Sequence, residues 1–139
     1  MYEKYSRQAL PPRKYRELLG TAICVFNSNN QFVIENILRI NNSTFNWYDL
    51  IDKVSGLLLK PIELTITRNS NSDIQLLFSD LVLRRNRIIH SFQITENKEQ
   101  ILRTKTKNHE QFNITEEYLL SFIRDNESLS SLLHQFRGF

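Results

Sequence analysis

The longest regular pattern in the sequence is a hydrophobic repeat that begins just after Pro11 and Pro12. Its apolar residues recur in steps of three, four or seven, which places them on one face of an α-helix: Tyr15, Leu18, Leu19, Ala22, Phe26, Val33, Ile37 and Ile40. The pattern predicts one long amphipathic helix, and the polar cluster 27–30 is the place where this helix could bend. A helix with one apolar face has to bury that face against other elements.

The same periodicity predicts three more helices further along the chain. The second follows the loop 41–44 and ends or kinks at Pro61, and its apolar positions are Trp47, Leu50, Ile51, Val54, Leu57 and Leu58. The next segment, 62–67, fits either a strand or a continued helix, because β-branched and polar residues alternate in it. A third helix is expected from the candidate N-cap Ser72 to about Phe92. A last helix is expected from the N-cap Thr115 onwards, with a candidate interruption near Asn126.

These elements predict an all-α fold, a four- to five-helix bundle with a possible small β-hairpin before the last helix. The hairpin would join two short extended segments, 100–106 and 111–114. A chain of 139 residues, 40% of them hydrophobic, has the size of one ordinary domain with a real core. We therefore expect a single domain over residues 1–139, of which residues 1–12 are flexible or loosely packed.

Composition and charge narrow the classes of function. The net charge of +3 is too small for a general nucleic-acid coat, but it is compatible with a local anionic ligand. The single cysteine, Cys24, cannot form an intramolecular disulfide or a thiolate-rich zinc site, and we expect it to be a buried structural thiol. The sequence predicts no metal site, cofactor, signal peptide or membrane span, and a reduced, cytoplasmic protein fits it best.

The third predicted helix carries a charge where an apolar residue is expected. With about 100° between successive residues, the side chains within about 40° of Ile74 form the core stripe: Phe78, Leu81, Ile88 and Phe92. Arg85 falls about 20° from Ile74, in the middle of this stripe. A guanidinium there must leave water or reach into a cavity, so it needs a reason. Arg84 and Arg87 fall on the far, polar side and are expected to be solvated.

A second face of the same helix is also partly apolar. By the same geometry Leu76 and Leu83 lie on it together with Asn86 and His90. A helix with two apolar faces has two partners, and the second partner here is either another helix of the bundle or another subunit. We favour a dimer with two-fold symmetry.

Arg85, Asn86 and His90 provide the chemical groups that cleavage of an RNA phosphodiester requires. Arginine supplies planar bidentate donors for the phosphate, histidine moves a proton near neutral pH, and asparagine orients either group. On an unbroken helix Arg85 and His90 lie about 140° apart, so they converge only if the helix frays after Ile89 or if a partner chain completes the site. The alternative is that Arg85 is a buried ion-pair or capping residue and His90 an ordinary histidine at a helix end.

Residues 85–90, Arg-Asn-Arg-Ile-Ile-His, resemble the R-N-x-x-x-H signature of HEPN-domain ribonucleases. The setting is similar too, because in that family the motif lies at the C-terminal end of a helix in a four- to five-helix bundle. The resemblance implies a metal-independent endoribonuclease in which two protomers bring their motifs into one cleft. It also implies the roles: Arg85 binds the phosphate, Asn86 orders the site, His90 is general acid or base, and the ribose 2′-hydroxyl is the nucleophile.

Proteins of this family are similar to toxins of toxin–antitoxin pairs and to effectors of phage defence, so the resemblance also implies an antitoxin or a regulatory protein as partner. One toxin branch of the family has a tyrosine two residues after the histidine, which a partner enzyme modifies. That position is Phe92 here. Because Phe92 has no hydroxyl, the resemblance does not extend to this mode of neutralisation.

Four basic residues are candidates for binding the RNA backbone: Arg84, Arg87, Arg103 and Lys105. Arg103, Lys105 and Lys107 alternate on one face if their segment is extended, and could track a line of phosphates. The alternative for this segment is a solvated edge strand protected by lysine. The alternative for the whole protein is a catalytically silent module of the same fold that binds RNA, a nucleotide or a protein partner.

Overall fold

The computed structural model describes residues 5–138 and divides them among five helices and three strands. The helices are α1 (Arg13–Ile40), α2 (Trp47–Asp52), α3 (Leu59–Ile62), α4 (Asp73–Ile89) and α5 (Glu116–Arg137). A 3-10 turn (Ser55–Leu58) precedes α3, and a π-helical turn (Glu63–Thr67) follows it. The strands are β1 (Phe92–Glu96), β2 (Glu99–Lys105) and β3 (Gln111–Ile114). Within this described range no helix combines the length and the apolar character that crossing a membrane requires.

The prediction of an all-α fold is wrong, because the strands form a three-stranded antiparallel sheet in the order β1-β2-β3. The predicted hairpin of β2 and β3 is confirmed, but β1 is not predicted. The third helix was expected to reach Phe92, but α4 ends at Ile89. Phe92 is instead the first residue of β1. Its side chain is 43% exposed and does not belong to the core. Asn97 and Lys98 then turn the chain with φ of 51° and 65°. A two-residue turn of this kind is hard to recognise in a sequence when it lacks glycine.

The long first helix is confirmed, and the polar cluster 27–30 does not interrupt its 28 residues. Asn29 in this cluster is buried, and its amide donates to the backbone oxygen (2.7 Å) and the side-chain oxygen (3.0 Å) of Asn126 on α5. Asn126 in turn donates to the carbonyl of Phe122 (2.9 Å). Because both buried amides find partners, α1 accommodates a polar residue on its packed face without a break.

Of the two effects predicted for Pro61, an end or a kink of the second helical region, the end is wrong. α2 stops at Asp52, but helical structure resumes at Ser55 and runs through Pro61. The proline lies in the first turn of α3, whose N–H groups have no partner inside that helix. The segment 62–67, for which the sequence left strand and helix open, is helical, and the buried hydroxyl of Thr65 donates to the carbonyl of Pro61 (2.7 Å).

The core lies where α1, α4 and α5 meet, and each of these helices contributes one fully buried phenylalanine. The ring centroid of Phe26 is 6.0 Å from that of Phe78 and 6.1 Å from that of Phe122, both in stacked arrangements. We call these three residues the aromatic cluster. Apart from Phe92, the apolar residues of the predicted core stripe of α4 are buried: Ile74, Phe78, Leu81 and Ile88.

Cys24 is exposed on α1 and is not the buried thiol that was expected. The buried residues Ala22 and Phe26 lie one helical turn apart and define the packed face. Cys24 is two positions from each of them, which places it about 200° around the helix from Ala22, on the outer side. Its apolar neighbours in the sequence therefore say little about its own burial.

The start of the chain contacts the sheet. Residues 1–4 of the segment expected to be flexible or loosely packed lie outside the described residues. In the remainder, Pro11 is buried, and the carbonyl of Ala9 accepts a hydrogen bond from the side-chain amide of Gln93 on β1 (2.9 Å). The segment before α1 thus lies along the outer strand of the sheet.

The hydroxyl of Tyr15 joins the sheet to α1. It donates to the carbonyl of Ile114 on β3 (2.5 Å) and accepts from the N–H of Leu102 on β2 (3.2 Å). Tyr15 is buried, and burial raises the pKa of its hydroxyl. The hydroxyl of Tyr15 therefore stays neutral and can donate its hydrogen bond to Ile114.

Replacing Tyr15 with phenylalanine removes this connection and leaves the part-buried N–H of Leu102 and the buried carbonyl of Ile114 without their partner. We expect Tyr15→Phe to lower the free energy of unfolding by about 1–3 kcal/mol, measured by urea denaturation followed by circular dichroism. Tyr48→Phe is the matched control, because Tyr48 is exposed and its hydroxyl makes no hydrogen bond within residues 5–138. Equal effects of the two changes would show that the Tyr15 hydroxyl does not fasten the sheet.

Candidate functional site

Arg85 leaves the core stripe of α4 and lays its guanidinium on the aromatic cluster. Its Cζ lies 4.8 Å from the centroid of the Phe26 ring, and its Nε donates to the side-chain oxygen of Asn86 (3.2 Å). A cation over a ring face gains up to about 2 kcal/mol where water is excluded. Neither terminal nitrogen of the guanidinium has a hydrogen-bond partner among residues 5–138. The guanidinium is thus held in place while its two outer nitrogens stay available.

Arg85 has no carboxylate partner in the described part of the chain. The side chain is half-buried, and this burial lowers the pKa of the guanidinium. Arginine nevertheless remains charged in proteins. The buried ion pair that was the alternative for Arg85 is absent from residues 5–138. A partly desolvated cation with no carboxylate partner among the described residues is a group that can bind an anion.

Arg85 lines an open groove of about 350 Å³ between α1, the end of α2 with the segment that follows it, and α4. We call it the Arg85 groove. Its other lining residues come from α1 and from the α2 side: Asn27, Asn30, Gln31, Ile51, Lys53, Val54 and Ser55. The lining combines two cations, three amides and a hydroxyl with two apolar side chains and includes no carboxylate. Such a lining suits an anionic ligand that also forms hydrogen bonds.

Ser55 fixes one of the amides of the Arg85 groove. Its Oγ donates to Oδ1 of Asn30 (2.8 Å), and Ser55 itself is buried. Asn30 therefore turns its oxygen toward Ser55 and keeps its NH₂ group as a donor. The side chains of Asn27 and Gln31 make no hydrogen bond to any of residues 5–138. These amides are available to a ligand.

Asn86 bonds to Arg85 through its side chain and to His90 only through its backbone. Its side-chain oxygen accepts from Arg85, and its backbone carbonyl accepts from the N–H of His90 (2.9 Å). α4 ends at Ile89, and His90 leaves helical geometry with φ of −97° and ψ of 32°. α4 thus ends at Ile89, but no contact joins the side chains of Arg85 and His90 among the described residues, and His90 does not line the Arg85 groove. The imidazole is exposed and makes no hydrogen bond within the described residues, so the structure joins Arg85 and Asn86 directly and leaves the His90 ring free to turn.

Arg84 was expected to be solvated. Its side chain is only 20% exposed, so this expectation is wrong. Its Nη2 lies 2.7 Å from a carboxylate oxygen of Asp80 and 2.6 Å from one of Asp125 on α5. The hydroxyl of Tyr118 donates to its backbone carbonyl (3.2 Å). Burial lowers the pKa of Arg84, but hydrogen bonds and charge interactions with the two aspartates leave the pKa raised overall. Arg84 therefore ties α4 to α5, and RNA binding by it stays a prediction.

The other three predicted RNA-binding residues lie near the sheet. Arg87 donates through Nη1 to the backbone carbonyl of Lys105, so the end of β2 lies against α4, and the Lys105 side chain is exposed. Arg103 is engaged with β3, where it donates to the side chains of Gln111 (2.8 Å) and Asn113 (3.2 Å). Arg87 and Lys105 thus form a small basic surface beside the C-terminal part of α4. Their role in RNA binding stays a prediction.

Five groove residues are not identified by the sequence analysis: Asn27, Asn30, Gln31, Lys53 and Ser55. The spacing of Asn27, Asn30 and Gln31 could have identified the three amides as a group, because positions i, i+3 and i+4 share one helix face. No sequence pattern indicates the lysine and the serine. Their approach to α4 depends on how the segment after α2 packs in three dimensions.

The second apolar face of α4 is not covered by any other part of the described chain. Leu76 and Leu83 are 65% and 64% exposed. Further large apolar side chains are exposed on α2 and the segment that follows it: Trp47, Tyr48, Ile51, Val54 and Leu57. The sequence allowed two partners for this face, another helix of the bundle or another subunit. No helix within residues 5–138 covers it.

Comparisons with protein-family models, with curated protein sequences and with solved structures find no match to this chain. The resemblance to HEPN-domain ribonucleases therefore stays a prediction that rests on residues 85–90. Within the described range, no group of three or more histidine, cysteine, aspartate and glutamate side chains is arranged to hold a metal ion.

Arg84 and Arg85 allow a matched comparison between a paired and an unpaired arginine. We expect Arg84→Met to lower the free energy of unfolding by about 1–3 kcal/mol, because it deprives Asp80 and Asp125 of their partner. Arg85→Met keeps an apolar contact with Phe26 and removes a desolvated charge, so the free energy of unfolding should rise or change by less than about 1 kcal/mol. Urea denaturation at pH 7 measures both. A loss in Arg85→Met as large as that in Arg84→Met would make Arg85 a structural residue.

Proposed function

We propose that this protein is a metal-independent endoribonuclease that cleaves RNA by transesterification from the ribose 2′-hydroxyl, and that it acts as the toxin of a toxin–antitoxin pair or as an effector of antiviral defence. The observation that carries the proposal is Arg85, a half-buried guanidinium with no carboxylate partner among the described residues, beside a groove that holds a second cation and three amides. The phosphodiester is the anionic group of RNA, and a guanidinium binds it in bidentate fashion.

In the proposed reaction the outer nitrogens of Arg85 hold the nonbridging oxygens of the scissile phosphate. The 2′-oxygen loses its proton and attacks phosphorus, the bond to the 5′-oxygen breaks, and that oxygen takes up a proton. The products are a 2′,3′-cyclic phosphate and a 5′-hydroxyl. His90 moves one of these protons as general base or general acid. Asn86, bonded to the Arg85 side chain and the His90 backbone, keeps both at one end of α4, and Arg85 stabilises the charge that builds up on the phosphate oxygens.

The proposal includes a homodimer with two-fold symmetry. Leu76 and Leu83 form an exposed apolar row on the face of α4 that helix geometry shares with His90. A second copy packed on this face would cover both leucines and bring the two His90 side chains into one cleft. An antitoxin or regulatory protein bound over the same cleft would inhibit cleavage. The function calls for a cytoplasmic location, where cellular RNA is within reach.

A catalytically silent module that binds RNA, a nucleotide or a protein partner is the second candidate. The specific observation in its favour is the exposed imidazole of His90, which no hydrogen bond from residues 5–138 orients. A general acid or base has to be held within reach of the proton it moves.

The variant His90→Ala separates these candidates. With end-labelled RNA in excess EDTA, we expect wild-type protein to cleave and this variant to be at least about 100-fold slower. Arg85→Lys should be slowed about 10- to 100-fold, because the bidentate contact is lost. His109→Asn is the matched control, since His109 is exposed and asparagine tolerates its φ of 67°. Undiminished cleavage by His90→Ala would refute its assigned role, and intact RNA with every form would favour the silent module.

The variant Leu83→Asp tests the shared cleft. A carboxylate in an apolar contact between subunits is strongly unfavourable, so analytical ultracentrifugation should find monomers and cleavage should be lost in parallel. Ile40→Asp, a similar change at an exposed apolar residue on a different helix, should leave both the dimer and the activity intact. A Leu83→Asp monomer that still cleaves at the wild-type rate would rule out a cleft built from two chains.

A further inference from the structure

The Arg85 groove offers more hydrogen-bonding groups than a phosphate uses. Arg85 and Lys53 supply its two positive charges. The side chains of Asn27, Asn30 and Gln31 each add two N–H donors and an acceptor oxygen. An ionised phosphate only accepts hydrogen bonds, so it would leave the amide oxygens in this lining unused. The edge of a nucleobase presents both donors and acceptors.

The amides of the groove are not consumed by contacts inside the protein. Asn27 and Gln31 make no side-chain hydrogen bond within residues 5–138. Asn30 is the oriented one, because the hydroxyl of Ser55 donates to its Oδ1 (2.8 Å). Asn30 thus presents a fixed donor, whereas Asn27 and Gln31 can turn either end of the amide toward a ligand.

The apolar part of the lining suits the flat face of a base. Ile51 and Val54 line the groove and are 36% and 67% exposed, so this apolar surface is left open by the chain itself. Covering it with a ring system removes it from water, which favours binding. The volume of about 350 Å³ lies within the range of pockets that hold small ligands.

We propose that the Arg85 groove is a base-recognition subsite, in which Arg85 and Lys53 hold a phosphate and Asn27, Asn30 and Gln31 bind the edge of the adjacent nucleobase. The inference deepens the proposed function and rests on it in one respect, namely that Arg85 binds a phosphate of RNA. It assigns to the protein a preference for one nucleotide beside the cleavage site. Single-stranded RNA is the substrate class that fits, because its bases are unpaired and can enter a groove.

Binding of mononucleotides tests the subsite apart from catalysis, since a nucleoside 3′-monophosphate has no internucleotide bond to cleave. In isothermal titration calorimetry with wild-type protein, we expect one of the four nucleoside 3′-monophosphates to bind at least about tenfold more tightly than inorganic phosphate. The four nucleotides should differ among themselves by about fivefold or more. In NMR spectra the side-chain amide signals of Asn27, Asn30 and Gln31 should shift when the preferred nucleotide is added.

Two variants divide the base contact from the phosphate contact. Gln31→Met keeps the length of the side chain and removes its hydrogen-bonding groups, so it should reduce the spread among the four nucleotides to less than about twofold and leave phosphate affinity unchanged. Gln135→Met, on the exposed surface of α5, is its matched control and should keep the wild-type values. Lys53→Gln should weaken phosphate and all four nucleotides by the same factor, about 3- to 10-fold, whereas Lys60→Gln should weaken none.

Equal affinity for phosphate and all four nucleotides would overturn the subsite, and so would amide shifts confined to residues outside the groove. Either result would leave the proposed ribonuclease standing if the protein cleaves RNA. Conversely, nucleotide binding in the groove by a protein that leaves RNA intact would refute cleavage and leave the subsite in place.

Discussion

The structure depends on the aromatic cluster, in which one phenylalanine from each of the three long helices meets its neighbours at about 6 Å. Two adjacent arginines of α4 use it differently. Arg84 lies over Phe122 and is neutralised by two carboxylates, whereas Arg85 lies over Phe26 and has no carboxylate partner within residues 5–138. An aromatic ring stabilises a cation without cancelling its charge. Phe26 therefore lets the fold keep a usable positive charge beside its core.

The polar cluster of α1 is where the fold and the candidate site meet. Asn29 is buried against Asn126 of α5, whereas Asn27 and Asn30 line the Arg85 groove. A buried amide is costly unless its hydrogen bonds are made, so the Asn29–Asn126 pair favours one register of α1 on α5 over its neighbours. Asp125, the neighbour of Asn126 on α5, pairs with Arg84, the neighbour of Arg85 on α4. Adjacent residues of α5 thus hold both α1 and α4 close to the groove.

Periodicity predicts those parts of the fold whose signal is local in the sequence. α1, α4 and α5 are long and amphipathic, so the spacing of apolar residues alone locates them, and Arg85 is conspicuous because it interrupts a stripe within one helix. The sheet is predicted only in part, because β1 depends on pairing with β2 across a turn that lacks glycine. The groove is not predicted, because Lys53 and Ser55 reach it only through tertiary packing. A local sequence pattern thus identifies Arg85 as unusual, but it does not identify the residues that surround Arg85 in the folded chain.

Anion binding and proton transfer place different demands on the end of α4. Arg85 is held by Phe26 and Asn86 and lines the groove, so under the proposed function a single chain contains the groups that bind the phosphate. His90 follows the last residue of the helix, and its ring is exposed and has no hydrogen bond from the described residues. The side chain of Leu83, on the same face, is also exposed. Under the proposed function, binding of a second copy of the chain covers both His90 and Leu83. Dimerisation then orients the histidine and completes catalysis, whereas nucleotide binding requires only the monomer.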